Sequence, residues 1–130
     1  MLSTKRVVSC ALAALLGVAG AAASASGQVF LSEILINAPE GGDDGFEAIE
    51  LTGTPGTSLD GWYILAIEGD GAGAGTVDQV ISLAGQSVGS NGLFLIRDSG
   101  IITLLPAPDA ATPVLVFNFN PDLENGTNTY

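Results

Sequence analysis

The 130-residue chain has no histidine, one cysteine, and only three basic side chains against 14 acidic ones, a formal charge of −11. Each shortage closes a class of function. Without histidine there is no Ser–His triad, no imidazole general base and no His-ligated zinc. Three basic residues make no surface that could neutralise a phosphate backbone, so direct nucleic-acid binding is excluded. The length fits one domain and not two. After Gly27 no stretch keeps a 3.6-residue apolar period, so amphipathic helices are not expected there.

The little positive charge present is placed unevenly. Lys5 and Arg6 precede an uncharged apolar run, Val7 to Ala23, which ends in the small-residue exit Ala23-Ser24-Ala25. Charged start, apolar middle and small exit describe a secretory signal peptide over residues 1–27. The run is shorter than the roughly 20 residues that span a bilayer, and no basic stop-transfer cluster follows it. A cleaved signal is therefore expected, leaving no stable membrane span and a secreted or cell-surface product. Cys10 lies at the start of the apolar run, the wrong end for lipid attachment, and leaves with the signal. The exported part then has no thiol or disulfide chemistry. It keeps Arg97 as its only base against all 14 carboxylates, a formal charge of −13.

What remains is a series of short apolar, β-branched and aromatic runs between Gly, Asp, Asn, Ser and Pro. They predict strands over Val29–Ile36, Phe46–Leu51, Trp62–Ile67, Gln79–Leu83, Leu93–Arg97 and Val114–Phe119. Ile49 and Leu51 share one face of the second run, with Glu50 on the other. Tyr63–Ile67 and Leu93–Ile96 are apolar on both faces and so are expected in central positions. Asp60-Gly61 and Ser90-Asn91-Gly92 supply turns with positive φ. Pro106 and Pro108 frame an irregular link. Six or more short strands without helices predict an all-β domain over residues 28–130, an antiparallel sandwich or barrel. Its aromatic core is expected from Phe30, Phe46, Trp62, Phe94 and Phe117.

Three segments, in order, resemble the lamin tail domain. They are Leu31-Ser32-Glu33-Ile34-Leu35-Ile36-Asn37-Ala38-Pro39, Glu47-Ala48-Ile49-Glu50-Leu51 and Ser58-Leu59-Asp60-Gly61-Trp62-Tyr63-Ile64-Leu65. Val88-Gly89-Ser90-Asn91-Gly92-Leu93 matches a later turn more loosely. The resemblance implies an immunoglobulin-like β-sandwich and a non-catalytic interaction module, found in bacteria in exported proteins, alone or beside nucleases and phosphoesterases. The acidity and export signal set this chain apart from the animal form, so the lamin partners are not carried over. Glu33, Glu47 and Glu50 are the odd polar members of these segments. One or two of them are expected to tie down backbone N–H groups or turns near a sheet edge, since no partner acid, base or metal motif accompanies them.

Other motifs carry less. The glycine-rich stretch 69–75 lacks the helix and lysine of a phosphate loop and is expected to be a hairpin loop. Asp43 and Asp44, with Asp70 and Asp78, are the candidate ligands if calcium binds. Neither stretch has EF-hand spacing, and solvation of an exported surface is the simpler account. No cofactor is assigned. Asn125-Gly126-Thr127 matches a glycosylation sequon, a pattern too common to interpret. The turn-rich end, Asn120 to Tyr130, leads toward a further strand, and a fragment of a longer exported protein is expected. The sequence therefore predicts a non-enzymatic binding or spacer module with a protein or glycan partner. The alternative is the N-terminal accessory domain of an exported hydrolase, a nuclease or phosphoesterase, whose catalytic part is absent.

Overall fold

The structure, a computed structural model, describes residues 27–36, 45–100, 106–123 and 128–129. Residues 1–26 of the expected signal peptide, Asp43, Asp44 and the sequon lie outside the described residues. The strands are β1 (Val29–Leu35), β2 (Ala48–Gly53), β3 (Tyr63–Glu68), β4 (Val77–Ser82), β5 (Leu93–Arg97), β6 (Val114–Val116) and β7 (Asn128–Thr129). They form a four-stranded sheet, ordered β1-β2-β5-β6, and a three-stranded sheet, ordered β4-β3-β7. The one helical element among the described residues is a 3-10 turn, Gly71–Gly73. The chain is all-β.

Turn chemistry sets the strand starts. Gly61 and Gly92 both have positive φ, as the turns before β3 and β5 require. At the first turn the Trp62 amide donates to the Leu59 carbonyl, closing it. The glycine-rich stretch is the β3–β4 hairpin loop, pinned where the Glu68 amide donates to Thr76 and the Gly75 amide donates back to Glu68.

The two sheets share one hydrophobic core. Ile49, Leu51, Phe94 and Ile96 enter it from the larger sheet, and Ala66 and Ile81 from the smaller. Period-2 alternation accounts for this, because Ile49 and Leu51 lie on the same side of β2 while Glu50 faces away. The segment after β6 completes the core with Phe119 and Leu123, both buried. The buried Gln79 side chain on β4 donates to the Pro121 carbonyl and holds that segment against the smaller sheet.

Three expectations change. The β5–β6 pair is parallel, so the sandwich is not antiparallel throughout. The long link between Arg97 and Val114 has the dozen or more residues a parallel crossover needs, and its described residues form no helix. Both predicted central strands have a neighbour on each side, but β3 is open on its outer face, where Tyr63 and Leu65 are exposed beside the exposed Val80 of β4. Of the five aromatics expected in the core only Phe94 is fully buried, and Phe46 and Phe117 are half-buried. Phe30 is exposed by 56% because it pairs with Thr52 and faces outward from the larger sheet, and Trp62 by 44% because it borders a gap between the sheets.

Candidate binding groove

That gap is an apolar groove of about 360 Å³. One wall is β1, through Val29, Phe30 and Leu31, and the other is β3 from Trp62 to Leu65. Leu51 and Leu83 form part of its lining deeper in. Trp62 has the same parity as Ile64, so it faces between the sheets, yet no strand among the described residues covers it. Tyr63, of opposite parity, stands at the rim and is 59% exposed.

Both walls end in strand edges. On one side, β1 is the outermost strand of its sheet and is paired only with β2. A bulge between Leu31 and Glu33 leaves Ser32 as the extra residue, and its hydroxyl lies 2.8 Å from Glu50 Oε1 and 3.0 Å from the Glu50 carbonyl. Glu50 thus ties the edge strand to its neighbour, through a hydroxyl where a backbone N–H was expected. Glu33 is exposed and Glu47 is buried, its carbonyl accepting from the Asp98 amide.

On the other side, β3 is only partly covered. Its pairing with β7 is confined to Ile67 and Glu68. The Leu83 amide donates to the Trp62 carbonyl, which fixes the β3–β4 ladder. By alternation, Ile64 and Ala66 spend their backbone groups on β4, while those of Tyr63 and Leu65 point away from it. Among the described residues no strand pairs with them on that side.

The turn that delivers Trp62 is itself fastened. The Gly85 amide donates to Asp60 Oδ1 at 2.6 Å, and the Ser58 hydroxyl to Oδ2 at 3.1 Å. These bonds favour the ionised carboxylate and hold Asp60 below its ordinary value of 3.8.

Of the candidate calcium ligands, Asp43 and Asp44 lie outside the described residues. Asp70 and Asp78 flank the β3–β4 loop and serve it locally: the Asp70 amide donates to Glu68 Oε1, and the Thr76 hydroxyl to Asp78 Oδ1. Among the described residues no three His, Cys, Asp or Glu side chains are grouped to hold a metal. A separate polar cluster lies at the far end of β2 and β5, where Glu47, Arg97 and Asp98 are neighbours in register or chain. There Asp98 Oδ1 accepts weakly from Ser99 and Gly100, at 3.3 and 3.4 Å. Arg97 is the single basic residue of the described set.

Sequence reasoning named Trp62 and Phe30 but placed them inside. The groove had one legible signal, the two-sided apolarity of Tyr63–Ile67, which leaves apolar surface once the strand is covered on one face only. Comparison with protein-family models, with curated proteins and with solved structures finds no match to this chain.

Proposed function

We propose that this chain is an exported, non-catalytic β-sandwich of immunoglobulin-like, lamin-tail type, acting as a binding or spacer module whose contact surface is the groove between β1 and β3. The observation that carries the reading is the groove itself. Apolar and aromatic side chains that could have been buried are left at a concave seam, where their removal from water is available to a ligand. Placement of the resembling segments supports the same reading, since they fall on β1, on β2 and on the turn leading into β3, the elements that build the seam. The partner is an extracellular protein or glycan.

Trp62 is the sole tryptophan, so its fluorescence reports on the groove directly. Candidate extracellular proteins and glycans are titrated into the full chain and emission is followed. A groove ligand moves the emission saturably to shorter wavelength. Leu31→Ala and Tyr63→Ala each weaken it by about tenfold, as truncation of a contact anchor does, and leave the melting temperature unchanged. A ligand held equally well by both variants places the contact elsewhere and removes this reading.

A further inference from the structure

We propose that Glu47 and Asp98 hold a calcium ion at the end of the core where β2 begins and β5 ends. The site is separate from the groove and shares none of its lining residues.

The pattern of the two strands breaks there in step. Inward positions are Ile49 and Leu51 on β2 and Phe94 and Ile96 on β5, all buried. Alternation asks for an apolar residue at the next inward position of each strand, and on each it is an acid. The register continues from the Ala48–Arg97 pair to Glu47 and Asp98, where the Asp98 amide donates to the Glu47 carbonyl at 2.9 Å. Opposed residues in such a hydrogen-bonded pair have Cα atoms about 5.5 Å apart and side chains on one face. One layer of the core is thus a pair of carboxylates, with Glu47 0% and Asp98 2% exposed.

The second observation is independent of that pairing. Asp98 Oδ2 is buried and accepts no hydrogen bond. Its other oxygen has only the long contacts from Ser99 and Gly100. A carboxylate withdrawn from water needs a donor, an opposite charge or a metal in place of its hydration. Arg97 does not fill that need. It has the outward parity of Leu95, and its own buried Nε has no hydrogen-bond partner.

The surroundings suit an ion. Gly45 has a φ of +80°, and a Cβ built on it would stand 3.8 Å from Asp98 Oδ1. At Gly100 a Cβ would collide with the Gly45 carbonyl, so the two loops meet beside Asp98 as bare backbone. Ser99 is exposed, which leaves the acidic layer one residue from solvent. The donors are oxygens, with neither thiolate nor imidazole, and select a hard cation over zinc or copper. Two carboxylates with backbone carbonyls and water make the irregular oxygen set that calcium accepts, whereas magnesium demands an octahedron.

The test titrates calcium chloride into the full chain by calorimetry at neutral pH and constant ionic strength, with melting curves alongside. The expected result is saturable binding at a single site and a melting temperature that rises with calcium. Asp98→Asn keeps the shape and removes the charge. It weakens binding by about tenfold or more and abolishes the thermal shift, while Glu33→Gln, on exposed β1, binds as the parent does. If Asp98→Asn does not fold, carboxyl-carbon NMR of the parent decides, since an ion here moves the Glu47 and Asp98 signals before those of Asp70 and Asp78. Neither heat nor thermal shift at about 10 mM calcium, above the range of weak extracellular sites, overturns the proposal. Binding that survives Asp98→Asn also overturns it, as do NMR shifts confined to Asp70 and Asp78, which put the ion on the β3–β4 loop.

Discussion

Asp60 shows how one exposed side chain can govern the geometry of the groove. Its carboxylate takes a backbone hydrogen bond from Gly85 and a side-chain one from Ser58, and together these fix the turn from which Trp62 emerges. Since the bonds lower its folded-state pKa, the stability they contribute is fully present above the ordinary aspartate value. It is lost as the pH falls through the lowered value of the folded state. Asp60→Asn is therefore expected to lower the melting temperature at neutral pH and to lose less on acidification than the parent chain. Melting curves across the acid range check this. A variant whose acid profile overlays the parent would show that the Asp60 bonds contribute nothing to the turn.

At the scale of the element, burial separates strands that look alike in composition. Phe94 on β5 and Phe30 on β1 are both aromatic residues in apolar runs. Yet β5 lies between two strands and Phe94 is fully buried, while β1 is an edge and Phe30 stands opposite Thr52, on the side of the sheet away from the core. Phe94→Ala is expected to cost about 3–5 kcal/mol, as large-to-small changes in packed cores do. Phe30→Ala should stay within about 1 kcal/mol. Denaturant unfolding of both variants gives the comparison, and similar losses would mean that β1 closes over the core.

This pair also marks what was legible in the sequence. Strand positions followed from run length and turn residues, and β5 lies where the pattern put it, over Leu93–Arg97. Whether an aromatic points into a closed core or away from it depends on which strand lies opposite, and that is a tertiary fact. The same limit explains Phe119 and Leu123. Strand β6 stops at Val116, and the chain beyond it turns inward to cap the core, anchored by Gln79, a polar residue that gave no sequence signal. The parallel crossover was hidden for a similar reason, since its link contains no helical pattern.

For the whole molecule, two sheets share a core but do not close on each other along one seam. Among the described residues the larger sheet ends there in β1, and β7 pairs with β3 at Ile67 and Glu68. The most direct measurement of this account is residue-resolved amide hydrogen exchange along β3 in the free chain. Ile64 and Ala66, bonded to β4, should exchange slowly while Tyr63 and Leu65 exchange fast. Uniformly slow exchange from Tyr63 to Ala66 in the free chain would mean that the edge is already covered, and would contradict the open seam on which the functional reading depends.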